Sequence, residues 1–293
     1  MELIELLRSG AFQQVRERAE EMIRAGGMTL TEEGQVLRLA CRASTGMAAY
    51  YDAVKLGERA IERATQAGDT PTVAKAHFDL GCSYLYIGDT VAVRRHLGEF
   101  LRLLPAVPEL KVWEGIAYYN LAHAHAQRKE WQTAIETLNR AATLFDQAGQ
   151  SRERASCALD TAWYYLQLGA PHLAADHIRQ LEVYLEGHHD DHVTANNLVC
   201  VRALHARVAG DLAASSRFAR ELLVPGRPGV DDRHRGEACW ILGENALDLG
   251  RLEECGAMVD LAAEHAARDN YPTLMNLTSD LRRRYSQRLA AGA

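Results

Sequence analysis

The sequence predicts an all-α fold, an array of helical hairpins joined end to end. Three observations point there. First, one turn pattern recurs at Gly10, Ala48, Gly88, Lys129, Gly169, Gly210 and Gly250, in steps of 38, 40, 41, 40, 41 and 40 residues. So steady a period marks a repeat architecture built from one supersecondary unit. Second, apolar residues flanking each turn fall at helical spacing. Third, the 293 residues include only seven prolines, and Ala, Leu, Arg and Glu dominate, which favours helix.

The clearest unit runs from Ala74 to Pro105. Gly81 and Tyr84 share one helical face, so a second helix can approach closely beside the small residue. Gly88 suits the left-handed conformation that ends a helix, and Asp89 can cap the next one. Val93, Leu97 and Phe100 then recur at helical spacing until Pro105 stops the run. Leu121-Ala122 and Leu242-Gly243 repeat Leu80-Gly81, Tyr165 repeats Tyr84, and Ala53, Ala134 and Ala174 repeat the small residue after the turn. Leu138, Ile178 and Val259 repeat Leu97. This pattern resembles the tetratricopeptide repeat, in a long form of about 40 residues like that of bacterial peptide-sensing and maltose-activator-like regulators. The resemblance covers roughly residues 1–268. It implies a right-handed α-solenoid of about six to seven hairpins and some fifteen helices.

Taken in order, residues 1–27 read as a partial first unit, with Leu3–Gly10 as the tail of a helix and Ala11–Ile23 as its partner. Such a start is either a naturally short cap or a cut from a longer chain. It leaves Leu3, Leu6 and Leu7 wanting cover, which makes a homodimer an expectation. Residues 31–268 carry the repeats, opened by a capped helix near Thr31 and Gly34. Gly57 and Ala219 stand where other units have a large apolar residue, so two junctions read as thin. Leu104–Pro108 breaks a helix, and Pro225–Asp232 reads as the most flexible loop. Residues 272–293, with Arg282, Arg283 and Arg284 on a polar helix, read as a solvated cap. All are expected to form a single superhelical domain.

A net charge of −6 does not suit a nucleic-acid partner. The N-terminus carries acids where a signal peptide wants bases, and no apolar run reaches membrane-span length, so a cytoplasmic chain is expected. The six cysteines form no C-x-x-C pair and sit at helical packing positions, as reduced thiols would. No nucleophile elbow, zinc-protease, phosphate-loop, dinucleotide or EF-hand motif occurs, so neither an enzyme nor a cofactor is expected. Glu186–His192 is rich in metal-ligand types, yet it lies between helices and reads as a solvated loop ending in an Asp cap. His125 takes the core position of Tyr84 and Tyr165, and His77 and His177 read as structural.

The resemblance places the first helix of each hairpin on an inner, concave side. Carried over by register, that side holds Arg38 and Arg42, then Phe78, Asp79 and Tyr86, then Tyr119, Asn120, His123 and Gln127. Asp160, Trp163 and Gln167 follow, then Asn197 and Arg207, then Trp240 and Glu244. Aromatics offer contact area with few torsions to freeze, and amides can pair with an extended peptide's backbone. Asn120 matches the backbone-gripping Asn of peptide-binding repeats. Tyr119 and Asp160 replace the Lys and Asn of the carboxylate-clamp version, although Arg38, Arg42 and Arg207 could still take a carboxylate. The expected partner is therefore a peptide or protein segment. Two other readings keep the same fold. One is the ligand-sensing part of a bacterial transcription regulator whose DNA-binding domain lies outside this chain. The other is an aspartyl-phosphate phosphatase, for which only Gln13 and Gln14 lie near the start.

Overall fold

A computed structural model describes residues 2–269 and 271–292. Among these, fifteen α-helices follow one another with no strand. They pair as α1 (Glu2–Arg8) with α2 (Phe12–Ala25), α3 (Leu30–Gly46) with α4 (Tyr50–Gln66), and α5 (Thr70–Ile87) with α6 (Thr90–Leu103). Next in order are α7 (Glu114–Gln127) and α8 (Trp131–Gln147), and then α9 (Ser151–Gln167) pairs with α10 (Pro171–Glu186). Then α11 (His192–Val208) pairs with α12 (Leu212–Glu221), α13 (Asp232–Asp248) with α14 (Leu252–Asp269), and α15 (Pro272–Gly292) follows alone. The fold is an all-α helical repeat. Where one array was expected, the chain divides by contact into two compact units, Met1–Ala124 and His125–Ala293.

The turns explain the period. All seven aligned turn positions have positive φ, from 58° at Ala48 to 89° at Gly210. Ala48 and Lys129 adopt this conformation despite carrying a Cβ, which costs about 1 kcal/mol each relative to glycine. Asp89 caps α6 as expected, accepting from the Ala92 amide at 3.0 Å. The cap of α3 is Thr29, not Thr31: Thr29 has extended backbone and exchanges hydrogen bonds with Glu32 in a reciprocal box.

Packing is small against large. A Cβ on Gly57 would lie 2.6 Å from Leu80 Cδ2 and 3.2 Å from Cys41 Sγ. One on Gly81 would lie 2.5 Å from Leu97 Cδ2. The junction at Gly57 is therefore filled, because Leu80 of the next hairpin occupies the space the glycine leaves. Within each unit first helices pack against each other, as α3 does on α5 and α9 on α11, while α2, α4, α8, α10, α12 and α14 each pack on the helix that follows.

Several expectations need correction. Leu3 is buried, and Leu6 and Leu7 are half-buried against Val15, Ala19 and Val36, so the chain itself covers part of the surface that suggested self-association. The break at 104–113 is two 3-10 turns whose Leu104, Val107 and Leu110 join the core of Val93, Leu97 and Phe100. The loop at 225–232 is pinned: Asn196 donates to the Pro228 carbonyl at 2.8 Å and accepts from Arg227 Nε at 2.8 Å. The last helix is more than a solvated cap. Leu274 and Leu281 are fully buried against Gly236 and Gly243, and Arg284 reaches the buried Glu244.

Two hairpins share a further device. Tyr84 stacks on His96 with centroids 5.4 Å apart, and Tyr165 stacks on His177 at 5.8 Å. His96 is buried and its Nδ1 lies 3.0 Å from His77 Nδ1, so the two rings share one proton between them. Burial, then the neighbouring His77 and Arg95, lowers the His96 pKa to about 4. Since that lies below the unfolded value, the stabilisation is complete above about pH 6.5 and falls away towards pH 4.

Two measurements check this packing. Gly57→Ala should lower the urea unfolding free energy by about 1–3 kcal/mol, because Leu80 is fully buried and has nowhere to move. The stability advantage of wild type over His96→Gln should shrink by on the order of 1–2 kcal/mol between pH 7 and pH 5. An unchanged gap would show that folding does not lower the His96 pKa.

Candidate functional site

In the unit Met1–Ala124, α3 and α5 carry a shared ion group. Arg38 Nη1 donates to Asp79 Oδ2 at 3.0 Å, and Arg42 Nε lies 3.6 Å from Asp79 Oδ1. Asp79 is buried, and that burial raises its pKa against the opposing pull of Arg38 and Arg42. Two guanidinium groups therefore face one carboxylate. Arg38 is nearly enclosed, whereas the Arg42 side chain is 44% exposed. Beside them, Thr45 and Ser83 share a 2.7 Å hydrogen bond. Asn120 on α7 donates to Cys82 Sγ at 3.3 Å, and the Tyr119 ring meets His123 edge-on at 4.6 Å. The structure thus brings Arg38, Arg42, Asp79 and Asn120 onto neighbouring first helices.

Phe78 is placed otherwise. It is half-buried and packs on Phe100 and Trp113 at 5.2 and 5.0 Å against the core, because α5 turns that edge towards α6 and the 3-10 turns. Its expected role as open contact area is corrected to packing. Tyr86 is half-exposed and stacks on Tyr50 at 5.1 Å. Burial drives the Cys82 thiol up to about 12, so this site holds no ready nucleophile there.

In the unit His125–Ala293 the expected groove residues satisfy one another. Trp163 on α9 and Trp240 on α13 approach to 5.9 Å, and they are 9% and 4% exposed. Two first helices that flank α11 thus touch across it. This curvature seals the two indoles, so neither offers the open surface expected of it. The Trp240 indole nitrogen is buried with no partner. Arg207 donates to Glu244 at 2.9 Å, Asn245 at 3.1 Å and Asp248 at 2.6 Å. Glu244 is buried and also pairs with Arg284. Asn197 accepts from Arg233 at 2.5 Å, and Gln167 is half-buried at the last turn of α9. Arg207 is spent on its own neighbours, not left for a ligand carboxylate.

Sequence reasoning missed Arg284 and Arg233 as partners of Glu244 and Asn197. Arg233 lies over the Tyr271 ring at 5.9 Å. The paired Tyr–His stacks had a readable signal, since Tyr84 and Tyr165, and His96 and His177, sit at matching distances from their turns. In the His-rich loop, Asp191 caps α11 by accepting from the Thr194 amide at 3.1 Å, and His188 stacks on Tyr184 at 4.1 Å. Among the described residues, no three His, Cys, Asp or Glu side chains converge as a metal set. Nor, among them, is any helix long and apolar enough to cross a membrane.

No known family profile matches this chain. No curated protein matches it by sequence. Solved structures do match by shape. A Rap protein complexed with competence and sporulation factor is similar over 97% of this chain and 74% of its own, with TM-score 0.62 and 16% identity. The apo form of RapI is similar over 98% of this chain and 100% of its own, with TM-score 0.63 and 11% identity. At such low identity the likeness establishes the helical-repeat fold alone.

The Glu244 cluster yields a stability test. Glu244→Ala leaves Arg207 and Arg284 facing a buried gap and should cost about 2–3 kcal/mol, discounted because Arg284 is partly solvated. Denaturant titration followed by circular dichroism measures it, and a loss within 0.5 kcal/mol of zero, roughly the spread of surface substitutions, would remove Glu244 from the load of the fold.

Proposed function

We propose that this chain is a non-catalytic scaffold that holds a peptide or protein segment along the first helices of the unit Met1–Ala124. The observation that carries the reading is the unequal charge at Asp79: two arginines share one buried carboxylate, and Arg42 keeps a long contact and a half-open side chain. A guanidinium so placed suits a partner's carboxylate, which binds it in a fixed, forked geometry. Asn120, with amide donor and acceptor groups on the neighbouring helix, suits a peptide backbone. One structurally similar protein was solved in complex with competence and sporulation factor, which supports a repeat of this shape as a holder of a partner. The other unit contributes less to this reading, because Trp163, Trp240, Arg207 and Glu244 are already engaged with one another.

A pool of random peptides, presented with free or amidated C-termini, tests it by calorimetry or array binding. Sequences selected by the chain should bind at least about tenfold more weakly to the Arg42→Ala, Asn120→Ala double variant. Affinity unchanged in that variant would sink the surface assignment, and a pool with no selected member would sink the scaffold reading.

A further inference from the structure

A cavity of about 360 Å³ opens at the fifth hairpin, in the unit His125–Ala293. It lies between α8 and α10 over α9, and its lining includes Asp146, Arg154, Ala158, Thr161, His177 and Gln180. That volume is in the range of small-ligand sites. The chain holds its own comparison 81 residues earlier, since the turns Gly88 and Gly169 bring the two hairpins into register.

In the earlier hairpin Tyr84 stacks on His96, and His77 supplies the hydrogen-bond partner at 3.0 Å. In the later one Tyr165 stacks on His177 in the same way, but Ala158 stands where His77 would be. His177 Nδ1 is accordingly buried with no partner. Ala142 also replaces the bulk of Ile61. The cavity of the earlier hairpin, about 340 Å³, has His77 in its wall, and His96 does not line it. The later cavity reaches the imidazole.

A second difference falls at the same place. Arg154 and Asp146 stand at the opening, 3.2 Å apart and 52% and 67% exposed. Their counterparts in the earlier hairpin are the uncharged Val73 and Thr65. The earlier cavity has its own ion pair, Glu99 and Arg102 at 2.8 Å, beside His77; in the later one the pair Asp146 and Arg154 stands beside an imidazole nitrogen without a partner. A cation and an anion side by side complement a carboxylate and an ammonium on one carbon.

We propose that this cavity binds a small zwitterion bearing an imidazole, the chemistry of free L-histidine. The ring occupies the room left by Ala158 and, with a turn of the His177 side chain that brings Nδ1 to the cavity, supplies the partner that nitrogen lacks, with Thr161 and Gln180 as further polar walls. The carboxylate meets Arg154 and the ammonium meets Asp146. The site does not depend on the reading above.

Calorimetric titration of the whole chain with L-histidine, L-alanine and imidazole tests this. L-histidine should bind with Kd below about 1 mM, and L-alanine and imidazole at least tenfold more weakly. Ala158→His puts the protein's own imidazole into the cavity; it should abolish L-histidine binding and raise the melting temperature. Arg154→Gln is an exposed change that leaves the fold intact; it should weaken L-histidine about tenfold and leave imidazole unchanged. No heat with L-histidine up to about 10 mM would overturn the proposal, as would L-histidine binding that Arg154→Gln leaves unaltered. The Arg154→Gln result decides the matter even if Ala158→His fails to fold.

Discussion

A leucine of one helix occupying the space beside a glycine of its neighbour is the contact on which this fold depends. Leu80 fills the room at Gly57, Leu97 at Gly81, Leu274 at Gly236 and Leu281 at Gly243. In three of these pairs the two residues belong to different repeats. A lone hairpin cannot bury enough apolar surface to offset its ordering entropy, so the neighbour's leucine is part of each unit's core. The same contact sets the distance between helices, and through it the positions of every polar group on the first helices.

Those polar groups obey a second constraint. Asp79 and Glu244 are carboxylates taken out of water, a change that is costly unless each finds cations at close range. Each does, and from more than one place in the chain: Arg38 and Arg42 for Asp79, Arg207 and Arg284 for Glu244. The partners lie 37 to 41 residues apart, about one repeat. Sliding one first helix past the next would lengthen or break these contacts, so these groups favour one register of adjacent first helices. Net stability from such pairs is small, and their larger effect is on which alignment is allowed.

What was legible in the sequence follows from the range of each interaction. The turns were readable because a positive φ and a helical period are local, and even Ala48 and Lys129 were found by register with their glycine counterparts. The Asp89 and Asp191 caps were readable for the same reason. The inner side was not. Whether Trp163 faces solvent depends on how sharply α9, α11 and α13 curve, and that brings in Trp240, 77 residues away. Arg207 read as a spare cation until Glu244, Asn245 and Asp248 were seen around it. Phe78 read as groove because the 3-10 turns at 104–113 that claim it have no counterpart in the other repeats.

The repeat also explains why departures from its own pattern are informative. Seven hairpins built to one plan act as controls for each other, so a residue that differs from its counterparts without serving the shared packing calls for a separate cause. Gly57 departs from the plan, and Leu80 accounts for it. Leu104 and its neighbours depart, and the core they join accounts for them. Ala158 departs by removing a hydrogen-bond partner from the buried Nδ1 of a half-buried ring, and no side chain of the hairpin makes up the loss. A buried polar atom without a partner is costly in a way that an exposed one is not. At the cavity of α8, α9 and α10 the plan and the residues present therefore disagree, whereas Arg207, Glu244 and Arg284 of the same unit satisfy one another's charge.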